Sequence, residues 1–175
     1  MPYVNDTGYP SVTDILSNFI DTEWMTPESR ERGSAVHAAC FAHLTGEYVV
    51  PLRPSWSGYF DSFRRWCDAA KPQVDLAEER LIDEQFGYCG QMDFLGKTEL
   101  RAGRGLIDWK TSLAFEKWFR LQGAAYRHLA GVNEHLTEWG GNLRLKADGS
   151  MPLFDYWPDG IAADFARFCC ALSLW

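Results

Sequence analysis

The chain has 175 residues, 46% of them hydrophobic and 23% charged, with a formal net charge of −7. That length suits a single domain spanning 1–175, which buries roughly two thirds of its unfolded surface without a disulfide or metal staple. The acid excess argues against a protein that coats nucleic acid by bulk charge, but leaves room for a local basic track, and no apolar run is long enough to span a membrane.

The N-terminal stretch MPYVNDTGYP has neither a basic start nor an apolar centre. It does not read as a secretory leader, so an intracellular, cytoplasmic location is expected. Cys40, Cys67, Cys89, Cys169 and Cys170 are odd in number and form no CxxC pair. Free, mostly buried thiols are expected, not a zinc or disulfide framework. Most of the eight Trp should pack the core.

In chain order, residues 11–20 predict a short helix. Thr26 reads as an N-cap and Pro27 as the first position of a second helix, which runs to about Leu44 and stops at Gly46. Its apolar residues Val36, Ala39, Cys40 and Leu44 share a face. Residues 58–70 predict an aromatic amphipathic helix closed by Lys71-Pro72. The pattern then changes to three strands, 74–84, 88–95 and 105–111, separated by Phe86-Gly87 and by a polar, glycine-containing loop over 96–104. Residues 115–130 return to helical spacing and end at Gly131. Leu143 and Leu145 mark a short strand, Asp148-Gly149 a turn, residues 152–157 a further strand, and 160–173 a closing helix. No internal repeat or linker appears. The sum is a mixed α/β domain with antiparallel hairpins.

The segment Gly105-Leu106-Ile107-Asp108-Trp109-Lys110-Thr111-Ser112 concentrates the chemistry. Asp108 and Lys110 interrupt an apolar strand with charge, and residues i and i+2 of a strand face the same side. Burying an unpaired Asp or Lys is costly, so the pair needs a metal, a phosphate or a mutual ion pair. Asp93 follows a glycine turn 15 residues upstream and can converge on Asp108 across a hairpin. Two carboxylates with open coordination positions suit Mg²⁺ or Mn²⁺. A metal-bound water would then attack a phosphodiester with Lys110 holding the water or the developing charge, and the Trp109 carbonyl would be a further ligand.

Gly90-Gln91-Met92-Asp93 followed by Leu106-Ile107-Asp108-Trp109-Lys110-Thr111 resembles the signature of RecB-like nucleases of the PD-(D/E)XK superfamily. Arg32-Gly33-Ser34-Ala35-Val36-His37 is similar to the helix motif of that group, and Gln122-Gly123-Ala124-Ala125-Tyr126 to its Q-x-x-x-Y motif. The strand-and-helix tail also resembles small phage-type exonucleases. The resemblance implies a restriction-endonuclease-like α/β core, with a central mixed sheet flanked by helices. It implies a metal-dependent DNA exonuclease working in recombination, replication or repair. His37 would be a metal ligand, with Gly33 permitting close backbone approach. Glu79 would be an auxiliary acid, though Glu78 and Asp83 lie close enough to replace it. Glu78 and Glu79 face opposite sides of a strand, so only one can point inward. Gln122 and Tyr126, at i and i+4, would contact the DNA backbone.

Arg101 and Arg104, in the loop between the catalytic strands, and Arg120 and Arg127, flanking the Gln-Tyr face, are the candidate phosphate contacts. DNA with ends is the expected substrate, single-stranded or duplex. The acidic surface and aromatic content allow a homo-oligomer, and a recombination or replication partner would fit. Two other functions compete. An iron–sulfur nuclease needs a cysteine cluster near the C-terminus, where only the adjacent Cys169 and Cys170 stand. A non-catalytic nucleic-acid-binding or assembly module on a nuclease fold would not need Asp93, Asp108 and Lys110 together.

Overall fold

The computed structural model describes residues 7–20, 26–157 and 161–175. The chain is α/β, with a mixed sheet between two helical layers. Three helices come first: α1 (Val12–Ser17), α2 (Pro27–Thr45) and α3 (Pro54–Ala70). Local signals set their ends. Ser11 and Asp14 form a capping box on α1. The Thr26 hydroxyl accepts from the Ser29 N–H at the start of α2, with Pro27 at the first position, and Gly46 closes the helix at φ +73°. Helix α3 begins at Pro54, one turn before the expected residue 58.

The middle of the chain departs from the expected three strands. Residues 74–84 are two strands, β1 (Gln73–Leu76) and β2 (Glu79–Asp83), and 88–95 are two more, β3 (Tyr88–Met92) and β4 (Phe94–Thr98). Strand β1 pairs antiparallel with β4, and β2 with β3. Together they are one long hairpin, broken on both arms at the same level. Glu78 breaks one arm with φ +50°, and Asp93 is a bend in the other. The polar stretch 96–104 is not a loop. It supplies the end of β4, a tight turn and the start of β5 (Arg101–Lys110). The arms pair directly there, so the backbone polar groups satisfy one another.

Helix α4 (Phe119–Val132) begins later than residue 115 and runs past Gly131 to an Asn133 cap. Strand β6 (Trp139–Arg144) is longer than the alternation of Leu143 and Leu145 suggests, and it pairs with β5 in parallel. Helix α4 is therefore the crossover that a parallel pair requires. The turn at Asp148-Gly149 forms, with Gly149 at φ +73°, and leads to β7 (Leu153–Tyr156). The closing helix α5 is described over Ile161–Ser173, so residue 160 of its expected span lies outside the described residues.

The main sheet has the order β1-β4-β5-β6-β7, and β2-β3 stand as a separate ribbon. Strand alternation sorts the core into two layers. Phe94, Ile107, Trp109 and Leu143 face α2 and α3, where they meet Val36, Phe63 and Trp66. Leu95 and Leu106 face the other way, with Tyr126 and Leu129 of α4, Phe168 of α5 and Ile15 of α1. The Trp109 ring is boxed by Phe63 and Trp66 at centroid distances of 5.0 and 5.2 Å. That packing anchors β5 on one face and leaves Asp108 and Lys110 on the other. Among the described residues, no helix is long and apolar enough to cross a membrane.

Candidate active site

The two breaks in the long hairpin make the site. Glu79 pairs with Met92, so Glu78 and Asp93 are the next residues facing each other across the arms. Because neither continues the pleat, both carboxylates turn toward α2. His37, three turns into α2, meets them there. Its Nδ1 lies 3.0 Å from Asp93 Oδ1 and 3.8 Å from Glu78 Oε1. One ligand atom from each of His37, Glu78 and Asp93 falls within 4.8 Å of the others. Asp93 Oδ2 accepts the Trp109 backbone N–H at 2.6 Å, and Glu78 Oε2 accepts from Gln91 Nε2 at 2.7 Å. Both acids are held in fixed orientations.

Asp108 and Lys110 do share a face, where they form an ion pair. Asp108 is buried and Lys110 nearly so. Lys110 Nζ donates to Gln122 Oε1 at 2.7 Å, and Gln122 Nε2 donates to the Tyr126 hydroxyl at 3.0 Å. The i, i+4 pair thus acts first on Lys110. The Phe119 and Trp118 rings lie 4.4 and 5.5 Å from the same ammonium, within cation–π range. His37, Asp93, Asp108, Lys110, Gln122 and Tyr126 all line one cleft of about 320 Å³.

Burial and mutual charge shift the titrating groups of this cleft. Burial alone would lower the His37 pKa, but the charge and hydrogen bond of Asp93, with help from Glu78, outweigh it and hold the imidazole well above its usual range. Burial and the nearby Asp108 charge lift Asp93 despite the opposing His37. Burial also acts to raise Glu78, yet its contacts with His37 and Gln91 draw it below the usual carboxylate value. Burial and the charges of Asp108 and Asp93 push the Tyr126 phenol up, so it stays protonated. Glu78 Oε1 and Asp108 Oδ2 are buried, with His37 and Lys110 as their charged neighbours.

Some expected residues stand elsewhere. Glu79 is exposed, and Glu78 takes the inward place. Asp83 is committed to the other end of the ribbon, where it accepts from the Gln85 and Phe86 N–H groups and pairs with His128 at 2.8 Å. Trp109 touches the cluster through its N–H, which donates to Asp93 Oδ2. Arg101 and Arg104 lie on β5 itself, at the end remote from Asp108. At about 3.3 Å per residue, four residues already separate Arg104 from Asp108 by roughly 13 Å. Arg101 stacks on Tyr156, and Arg104 pairs with Asp75. Arg127 spends its guanidinium on Thr137 Oγ1 and carbonyl at 3.0 and 2.9 Å, and burial lowers its pKa. These three arginines brace the fold and do not reach the cleft. Arg120 lies beside it, bound to Asp164.

Other residues of the cleft were not anticipated as site residues. Arg30 and Arg32 line it from α2, with Arg32 donating to the Thr111 carbonyl at 3.3 Å. Trp118 and Phe119 flank Lys110. A pair of aromatic residues opening the helix that carries Gln122 was a usable signal. Glu78 was weighed from the sequence as a replacement for Glu79, but nothing local marks its left-handed backbone. No protein-family model matches the chain, and no curated protein matches it either.

Proposed function

We propose that the chain is a divalent-metal-dependent deoxyribonuclease of the PD-(D/E)XK type, with a restriction-endonuclease-like core, and that it degrades DNA from its ends. The observation that carries the reading is the cluster of His37, Glu78 and Asp93 donor atoms within 4.8 Å, set beside the Asp108–Lys110 pair. The donor set fits Mg²⁺ or Mn²⁺. Its carboxylate oxygens suit both, and the imidazole nitrogen favours Mn²⁺. His37, Glu78 and Asp93 would hold the ion, with Asp108 reachable from the same cleft. When bound, the ion supplies Lewis-acid polarisation of the scissile phosphate and a more acidic water.

The protein groups supply the rest. The Trp109 N–H keeps Asp93 in one orientation. Gln122 fixes the Lys110 ammonium, which can donate to a phosphate oxygen as negative charge develops there. Tyr126 steadies Gln122 and keeps its proton. Phe119 and Trp118 shield the ammonium from bulk water, which strengthens its field at the phosphate. End-directed degradation, and a place in recombination, replication or repair, rest on the sequence resemblance to phage-type exonucleases.

The test is digestion of end-labelled single-stranded, duplex and circular DNA with Mn²⁺ or Mg²⁺. Linear DNA should be shortened from its ends and circles spared. Asp108→Ala and Lys110→Ala should each lose at least about a hundredfold in rate while circular dichroism stays native. A wild-type protein that cleaves none of these DNAs with either metal would instead support the non-catalytic binding module.

A further inference from the structure

The cleft does not end at Lys110. Trp118, which lines it, also lines a second groove of about 920 Å³, nearly three times the 320 Å³ of the cleft. The two spaces meet across that indole. The groove runs between the segment 115–121, the end of α1 and the start of α5. Phe115 and Trp118 offer partly exposed ring faces. Lys117, Arg120 and Arg167 supply cations.

The two arginines are held in place. Arg120 Nε and Arg167 Nη1 grip opposite oxygens of Asp164 at 3.1 and 2.8 Å. Asp164 is only 5% exposed, so a carboxylate sunk in the wall holds two guanidiniums in place. On the other side, the Arg144 guanidinium stands 5.4 Å from the Phe115 ring and donates to the Leu113 carbonyl, which braces the aromatic segment. The charge distribution adds a second argument. Among the described residues, cleft and groove are lined by six of the 17 Lys and Arg but only four of the 24 Asp and Glu. In a chain of net charge −7, that is where a polyanion would be drawn.

We propose that this groove seats a single-stranded segment of the substrate, next to the nucleotide in the cleft. This rests on the nuclease reading given above. Cations spaced between aromatic faces suit unpaired bases, which can stack on Phe115 and Trp118 while the phosphates follow Lys117, Arg120 and Arg167. A duplex keeps its base faces stacked inside and gives these rings nothing to bind. The strand passes Trp118, whose ring lies close to both Lys110 and the groove.

Binding measured without turnover separates this proposal from the catalytic one. Fluorescence anisotropy of a labelled 12-nucleotide oligo-dT, in EDTA, should show tighter binding than that of a 12-base-pair duplex. Phe115→Ala should weaken oligo-dT binding by about tenfold. Arg167→Glu, at a mostly exposed side chain, should weaken it and flatten its dependence on salt. Thermal unfolding of both variants checks that they fold. Native-folded variants that bind oligo-dT unchanged would overturn the groove assignment, as would equal losses for duplex and single strand. If the variants lose binding but the wild type cleaves no DNA, the groove stands and the nuclease reading falls. If the wild type cleaves and both variants bind normally, the reverse holds.

Discussion

Two adjacent glutamates, Glu78 and Glu79, differ in one backbone angle, and that angle decides which belongs to the site. Glu78 has φ +50°, a conformation that L-residues adopt at a cost and keep only when their surroundings impose it. Here the hydrogen bond from Gln91 and the proximity of His37 hold it there. Glu79 returns to the pleat and faces solvent. Calorimetry should therefore separate the two residues. Glu78→Gln should weaken Mn²⁺ binding by at least about tenfold, equal to about 1.4 kcal/mol, while Glu79→Gln leaves it unchanged. Comparable losses from both would remove Glu78 from the ligand set. Asp93 follows the same logic. Its carboxylate is spent on His37 and the Trp109 N–H, so its place at a bend, outside regular pairing, is what lets it reach both.

At the scale of elements, the site depends on how closely α4 lies on the sheet, because Gln122 must reach Lys110. Glycines permit that approach. A Cβ on Gly123 would come within 2.1 Å of the Trp157 ring, and one on Gly90 within 2.7 Å of the Tyr126 ring. The same tightness is absent at Gly33, where a Cβ would have its nearest neighbour, Thr111 Oγ1, at 3.9 Å. The close approach expected there belongs to Gly90 and Gly123. Overpacking of this kind costs about 1–3 kcal/mol. Gly123→Ala should lower the melting temperature by roughly 2–10 °C for a chain of this size and reduce cleavage as well, since α4 lifts Gln122 away from Lys110. Gly33→Ala should do neither. A melting curve for Gly123→Ala that overlays the wild type would show that Trp157 moves aside freely.

For the whole molecule, folding gathers the Glu78, Asp93 and Asp108 carboxylates into one place in a protein that is already acidic. Asp93 and Asp108 are 6% and 4% exposed, and His37 and Lys110 are the groups that pair with them directly. Folding therefore assembles carboxylates that repel one another, and a bound cation should relieve that cost. At a Mn²⁺ concentration a hundredfold above the dissociation constant, linkage adds about 2.7 kcal/mol. That corresponds to a rise of roughly 5–10 °C in melting temperature, read by differential scanning calorimetry. Asp93→Asn should abolish most of the rise. An equal rise in that variant would place the ion elsewhere on the molecule.

Much of this protein could be read from local sequence because the governing forces are local. Caps at Thr26 and Gly46, the turn at Asp148-Gly149, and the same-face pairings of Asp108 with Lys110 and of Gln122 with Tyr126 follow from spacing and backbone preference alone. So does the burial of most Trp residues, through their apolar area. What the sequence could not settle were the contacts between distant segments. The break of one hairpin at Glu78 and Asp93, the parallel pairing of β5 with β6, and the diversion of Arg101, Arg104 and Arg127 into structural contacts each depend on a partner many residues away. A side chain's neighbours, and not its own type, decide whether its charge serves a reaction or braces the fold, and those neighbours exist only once the layers have packed.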